Sequence, residues 1–314
     1  MCWMRLPDSC ICSTTEPLWP MYKEHDETKM KMDSCRLRMG LLALLLLLMA
    51  GGAECCGQTR EPLLPVEYEP AGRQIDRSIL VGIGHVSQLD TYLSPMEYGG
   101  PQLSFLTLRE RMTGMAGGHI AFQSMFQGAL SYTENPAGNA NELGGRIGYD
   151  AGWHYVWKPV SRLSLKAGGL VGTDVGFLYN SRNGNNPAQA RANIDISLSA
   201  GGSYEFRIRH LPMQMHYQAH LPVMGCMFSP RYGQSYYEIY QGYGDRNVRF
   251  TSPANALSLR QLFSLDFCFA RTTLRVGYLS DIRQSHVNGI RVHDISRSLM
   301  LGYVRHFQTL KRKK

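Results

Sequence analysis

Leu143-Gly144-Gly145-Arg146-Ile147-Gly148-Tyr149-Asp150-Ala151-Gly152-Trp153-His154-Tyr155-Val156-Trp157 alternates with a period of two. Successive side chains on a strand point to opposite faces. One face therefore carries Leu143, Gly145, Ile147, Tyr149, Ala151, Trp153, Tyr155 and Trp157. The other carries Gly144, Arg146, Gly148, Asp150, Gly152, His154 and Val156, so every large apolar group but Val156 falls on one side. The run is far longer than the ~5 to 6 residues of an ordinary strand.

The same period continues on either side. In His119 to Tyr132, Ile120, Phe122, Phe126, Leu130 and Tyr132 oppose His119, Gln123, Gln127 and Ser131. In Ala192 to Arg207, Ile194, Ile196, Leu198, Ala200, Tyr204 and Phe206 oppose Asn193, Asp195, Ser197, Ser199, Ser203, Glu205 and Arg207. Met213, Met215, Tyr217, Ala219, Leu221 and Val223 oppose Gln214, His216, Gln218 and His220. A soluble sandwich would turn the apolar faces inward, whereas a membrane barrel turns them to lipid and encloses the polar faces. Strand length, the Gly, Ser, Gln and charge of the polar faces, and aromatic residues at strand ends favour the barrel. Those aromatics are Trp153, Tyr155 and Trp157, then Tyr204 and Phe206, then Tyr303 and Phe307.

The expected fold is all-β: an antiparallel transmembrane β-barrel of about ten strands, within eight to twelve, preceded by a signal peptide. The strands are expected near 78–87, 102–113, 119–132, 143–158, 162–180, 191–207, 213–228, 256–270, 272–284 and 295–307. Asn247 to Thr251 is a candidate for an extra hairpin. Tight connections at Thr113–Gly118, Pro159–Ser161, His210–Pro212 and Arg271 alternate with longer ones at Gln88–Pro101, Thr133–Glu142, Ser181–Ala190, Ser229–Asn255 and Ser285–Asp294. The short-turn rim, with both termini, is assigned to the periplasm and the long loops to the cell exterior.

Lys29, Lys31, Arg36 and Arg38 precede an apolar stretch from Gly40 to Ala53, and small residues close it, in the order of a secretory signal peptide. Residues 1–29 are expected to be non-structural or a mis-assigned start and 30–57 the signal peptide. The remainder is expected to be a periplasmic segment at 58–76, the barrel at 77–308 and a basic tail at 309–314. Six of the eight cysteines lie at or before Cys56, leaving Cys226 and Cys268, too few for a disulfide framework. Neither Cys55 nor Cys56 sits in a good lipobox. Part of the net charge of +8 is the tail Lys311, Arg312, Lys313 and Lys314, and no basic stripe with interleaved aromatics remains as a binding face, so nucleic-acid binding is not expected.

The loop motifs Asn135-Pro136-Ala137-Gly138-Asn139-Ala140-Asn141, Arg182-Asn183-Gly184-Asn185-Asn186-Pro187-Ala188-Gln189-Ala190 and Phe228-Ser229-Pro230-Arg231-Tyr232-Gly233-Gln234-Ser235-Tyr236-Tyr237-Glu238 carry a resemblance. The chain resembles an uncharacterised outer-membrane β-barrel family of Gram-negative gut bacteria, a domain of unknown function, over about residues 75 to 308. That resemblance implies an exported barrel in the envelope and transfers no catalytic residue.

The polar phases place Arg146, Asp150, Lys166, Asp195, Glu205, Arg260, Asp266, Arg275 and Asp281 in a lumenal charge network, with Asp174, Arg207 and Arg283 on the same phases. Ten strands close at roughly 20 Å, a bore that side chains largely fill. An ion-paired plug is expected ahead of a narrow solute path. In the longest loop, Tyr232, Tyr236, Tyr237, Glu238 and Tyr240 are the candidate contacts to a ligand, against the alternative that the loop folds back over the barrel mouth. The partners expected are outer-membrane lipid and a glycan or protein at these loops. The function expected is a structural or interaction protein, with a narrow diffusion channel second and a rim-located hydrolase third.

No reaction, cofactor or metal site is assigned. The hydrolase candidates are His85, Asp90, Asp174, Asp281, His286, His293 and Asp294, and no Gly-x-Ser-x-Gly or His-Glu-x-x-His pattern accompanies them. Asn180 to Asn186 lacks the carboxylates that a calcium site needs. His119, His216 and His220 are read as lumenal polar fillers.

Overall fold

The computed structural model describes residues 68–312 apart from 185, 244–245 and 270–271, with side chains over 75–307. The described residues lie in the second of the chain's two units, Val66–Lys314. The expected signal peptide, the non-structural start and the six early cysteines lie outside the described residues, as does the turn at Arg271.

The second unit is built from β1 (Tyr68–Asp90), β2 (Ser94–Met112), β3 (Ile120–Glu134), β4 (Asn141–Val160), β5 (Leu163–Asn180), β6 (Ala188–Ile208), β7 (Leu211–Phe228), β8 (Val248–Thr251), β9 (Ala256–Cys268), β10 (Thr273–Val287) and β11 (Ile290–Arg312). Each of β1 to β7 pairs antiparallel with the next, β7 pairs with β9, and β11 pairs with β1. The ten long strands therefore close into a barrel, which removes most of the unpaired donors and acceptors of an open sheet. The eleventh strand, β8, pairs only with Gly225–Phe228 at the end of β7. It is the extra hairpin foreseen at Asn247–Thr251. No helix among the described residues is long and apolar enough to cross a membrane.

The apolar phases face outward. Ile147, Trp153 and Leu198 are 53%, 56% and 57% exposed, while Phe122 packs edge-on against Trp153, its cross-strand partner, with ring centroids 5.5 Å apart. These residues do not meet in a dry interior. The polar phase lies inside instead, where Gln123, Gln127, Ser131, Asp150 and His154 are buried. Trp153, Tyr155 and Trp157 on β4, Tyr204 on β6 and Phe307 on β11 mark the short-turn end, and Tyr132, Phe177, Tyr179 and Phe250 mark the other end, all exposed. From Leu143 to Tyr155 on β4 is twelve residue steps, which at a tilt near 40° spans about 30 Å, the thickness of a bilayer's hydrocarbon. A continuous apolar belt of this size is a surface made for hydrocarbon.

Several expectations are corrected. Gln88–Pro101 and Ser285–Asp294 are not long loops. β1 and β2 are joined by Thr91–Leu93, and β10 and β11 by the two-residue turn Asn288-Gly289, with φ of 53° and 78°. That Asn-Gly turn takes the left-handed backbone that hairpin twist demands. The strands continue past the apolar belt, where no alternation is required to hold them. At the other end β1 and β11 pair from Tyr68 opposite Arg312, so the first and last strands run beyond the expected 77–308. His119 sits exposed at the short-turn rim, its ring stacked on Tyr155 at 5.8 Å, and is not lumenal. Cys226 and Cys268 are free.

β7 changes phase part-way. Ile196 and Ser197 on β6 pair with Met224 and Pro222, leaving Val223 as an extra residue. Pro222 has no amide hydrogen for the ladder, and a bulge is where a strand tolerates that loss.

Candidate functional site

The lumen is filled in tiers. Nearest the short-turn rim, Asp266 receives both arms of Arg275, Nε at 2.6 Å and Nη2 at 2.7 Å, while His216 Nε2 lies 3.1 Å from the same carboxylate. Lys166 donates to Glu110 at 2.5 Å and to Gln123 at 3.1 Å. A bidentate guanidinium on a buried carboxylate fixes two strands against each other as a single charge cannot.

Above this tier lies a layer that the alternation did not forecast. Leu80, Leu106, Met125, Leu262, Leu279 and Met300, one each from β1, β2, β3, β9, β10 and β11, form a buried apolar cluster inside the barrel. Across from it, β4 to β7 supply His154, Leu170, Ser199, Gln218 and His220, all buried. Side chains from ten strands thus meet across the bore.

The next tier is ionic. Asp281 is contacted by Arg146 at 2.8 Å, Arg283 at 3.2 Å and Arg260 at 3.6 Å. Arg260 also pairs with Asp150 at 2.9 Å, and Arg283 with Asp174 at 2.9 Å. Three guanidinium groups and three carboxylates neutralise one another. A cavity of about 40 Å³ is bounded by Asp150, Asp174, His220, Arg260, Asp281 and Arg283. At the outer rim Arg191 joins Asp90 at 2.7 Å to Asp294 at 3.5 Å.

Of the nine charges expected in the lumenal network, Arg146, Asp150, Lys166, Arg260, Asp266, Arg275 and Asp281 are ion-paired there. Asp195 stands apart, accepting hydrogen bonds from Asn193 at 3.1 Å and Ser197 at 2.6 Å. Glu205 is exposed at the short-turn rim, where it lines the lower cavity of about 230 Å³. Sequence reasoning missed Glu110, Asp90 and Arg191 as members. Each lies on the polar phase of its strand, which is the signal that could have found them.

The hydrolase candidates fall on two sides of the wall. Asp90, Asp174, Asp281 and Asp294 are buried in the lumen, each in an ion pair with arginine. His85, His286 and His293 occupy the outward phase of their strands, and His293 Nδ1 lies 3.1 Å from outward-facing Gln284. None of these histidines shares a face with a candidate carboxylate.

The long loop divides its aromatic residues. Ser235 and Glu238 form a capping box, Glu238 N–H donating to Ser235 Oγ at 3.2 Å and Ser235 N–H to Glu238 Oε2 at 2.8 Å. Tyr236 turns inward, edge-on to Tyr92 at 6.1 Å, and its hydroxyl accepts the Ala190 amide at 2.7 Å. Tyr92 donates to the Gln234 carbonyl at 2.8 Å. Burial and the neighbouring Tyr236 push the Tyr92 phenol up to about 12, so it stays a neutral donor. Beneath them Leu93, Leu178 and Ile290 complete a buried lid with Tyr92. Of the five expected ligand contacts, Tyr236 and Glu238 are therefore engaged in folding the loop back. Tyr232, Tyr237 and Tyr240 point to solvent, joined by Tyr243.

Tyr236→Ala should release this loop without unfolding the barrel. Limited proteolysis within residues 229–247 is expected to accelerate about tenfold, because the local opening equilibrium loses its principal contact. Tyr240→Ala should leave the rate unchanged.

A family model described as "Protein of unknown function (DUF3316)" matches residues 40–314. No curated protein matches the sequence. Among solved structures, the transport unit of the autotransporter AIDA-I from Escherichia coli is similar at 9% identity and TM-score 0.40, covering 78% of this chain and 93% of that one. The outer membrane protease OmpT from Escherichia coli gives 8% identity and TM-score 0.44, over 78% and 99%. The attachment invasion locus protein Ail of Yersinia pestis, bound to a heparin analogue, gives 12% and 0.29, over 74% and 99%. At such scores no activity or ligand transfers to this chain.

Proposed function

We propose that this chain, which belongs to that family of proteins of unknown function, is a Gram-negative outer-membrane barrel with a closed lumen, acting through what its outer loops bind. The observation that carries this reading is the pair of stacked layers across the bore, six apolar side chains beneath a neutral cluster of three arginines and three aspartates. The 40 Å³ cavity within this tier has room for no more than about three waters, at roughly 10–15 Å³ each. A layer this filled is expected to bar hydrated ions and solutes.

The outward belt supports residence in lipid, and closure of the strands supports an outer membrane, where barrels of this kind reside. With the bore closed, the exposed phenols of Tyr232, Tyr237 and Tyr240 are the surface left for a partner. Tyrosine offers a flat apolar ring and a polar tip at little entropic cost, which suits a glycan ring or a protein epitope.

Two measurements on the purified full chain test this. Inserted into a planar bilayer, it should give no stepwise conductance, whereas steady open-pore current would establish the narrow diffusion channel instead. On a glycan array, binding should be lost in Tyr232→Ser/Tyr237→Ser/Tyr240→Ser. Binding that survives these substitutions, or no binding to glycans or envelope proteins, would remove the loop role.

A further inference from the structure

The ladder between β7 and β9 stops short of the outer rim. Met213–His220 pairs with Phe267–Arg260, and Gly225–Phe228 pairs with Thr251–Val248 of β8. Between these blocks, among the described residues, Leu221–Met224 has no ladder partner on that side, and Ala256–Leu259 has none on the facing edge of β9. The cause lies in the residues. Pro222 cannot donate to a ladder, and β7 slips register against β6 there. On the other edge Ser252–Asn255 leaves the wall as a turn, with the Asn255 and Ala256 amides donating to the Ser252 carbonyl at 3.0 and 2.7 Å.

Ile194, Ile196, Met224 and Leu257 are exposed apolar residues beside this seam, with outward-facing Gln284 across from Leu257. Unpaired backbone at membrane depth is tolerated where it borders a cavity, not where it faces lipid alone. Such a cavity lies just inside, about 140 Å³ in volume, and both edges of the seam line it: Pro222, Met227 and Phe228 on one side, Thr251, Ala256 and Ser258 on the other. Ile290 and Val292 extend its apolar wall.

The polar wall has a definite character. The arginines that reach the cavity are committed, Arg146 to Asp281 at 2.8 Å, Arg191 to Asp90 at 2.7 Å and Arg283 to Asp174 at 2.9 Å. An anionic head group would have to break those pairs. Asp195 is the one carboxylate of the lining without a cation partner among the described residues. It is an acceptor suited to a hydroxyl donor. The volume is close to the roughly 150 Å³ of an apolar cavity that holds benzene.

We infer that this cavity is a lateral binding site for a small uncharged amphiphile, a single ring or short chain bearing one hydroxyl, which reaches it from the outer leaflet through the seam between β7 and β9. The ring lies against Phe228, Met227 and Pro222, and the hydroxyl donates to Asp195. This site is separate from the tyrosine loop and does not depend on what that loop binds.

The probe is benzyl alcohol carrying a diazirine, photoactivated with the full chain in phospholipid vesicles and mapped by mass spectrometry. Label is expected on residues 222–228 and 251–258, reduced about tenfold by excess unlabelled benzyl alcohol and by Ser258→Phe, which fills the cavity. Asp195→Leu should weaken competition by benzyl alcohol and leave competition by toluene unchanged. Ser285→Phe fills the same cavity from β10 and serves if Ser258→Phe loses the heat-modifiable gel shift of a folded barrel. Label spread over the lipid-facing belt, label confined to Tyr232–Tyr243, or label that benzyl alcohol does not displace would each overturn the assignment.

Discussion

Asp281→Ala is expected to destabilise the folded barrel by about 3–5 kcal/mol, the range for stripping one partner from a buried charge cluster. Asp281 is 3% exposed and meets three guanidinium groups. Without it, Arg146, Arg260 and Arg283 share only Asp150 and Asp174 in an enclosed space. The loss comes less from the missing attraction than from a positive charge left without water or counter-charge. Asp281→Asn, which preserves shape, should therefore be nearly as harmful. Asp281→Asn/Arg146→Gln restores neutrality and should recover more than half of the loss. Asp195→Asn, which touches no ion pair, should change little. Urea titration of the protein in vesicles, followed by tryptophan fluorescence, measures each. A change below about 1 kcal/mol for Asp281→Ala would mean the cluster is as solvated as a surface pair, and the closed-lumen reading would fall with it.

Leu143–Trp157 announced the wall because lipid imposes contrast. One face must be apolar and the other is enclosed with water and charge, so the period stands out wherever a strand crosses the belt. The same logic explains what stayed hidden. Leu80 lies between Ile79 and Val81, and Met300 between Leu299 and Leu301. Where both phases are apolar the alternation vanishes, and an inward leucine is indistinguishable from an outward one. Beyond the belt, Gly99, Gly100 and Pro101 read as loop residues although β2 begins at Ser94, since a strand outside lipid needs hydrogen bonds but no greasy face. Ion pairing was legible only by phase. Arg146 and Asp281 are 135 positions apart, and no local pattern joins them. Tyr236 could not be told from Tyr237 either, because its partner Tyr92 lies on another loop; the Ser235-x-x-Glu238 box beside it was the readable part.

The lumenal layer also fixes which glycines cannot change. Gly302→Val is expected to abolish folding, leaving no heat-modifiable species in an SDS gel. Gly302 pairs with Leu80 across the closing seam of β1 and β11, and a Cβ at that position would lie 1.9 Å from the Ile79 carbonyl oxygen. That atom is backbone in the facing strand, so no rotamer can yield; only parting the two strands would make room. The same approach lets Leu80 enter the apolar layer beside Met300, whose own cross-strand partner is Gly82. Glycine in a strand weakens it by roughly 0.5–1 kcal/mol relative to alanine, so its use here reflects the close backbone contact that shapes a small, filled barrel. Gly128 supplies the comparison. Its nearest neighbour to a new Cβ is the Arg146 carbonyl oxygen at 3.9 Å, an ordinary contact. Gly128→Ala should fold normally, with a stability change of no more than about 1 kcal/mol in its favour. Should Gly302→Val fold as well as Gly128→Ala, β1 and β11 do not approach this closely, and the barrel must be wider at its closing seam than a filled lumen allows.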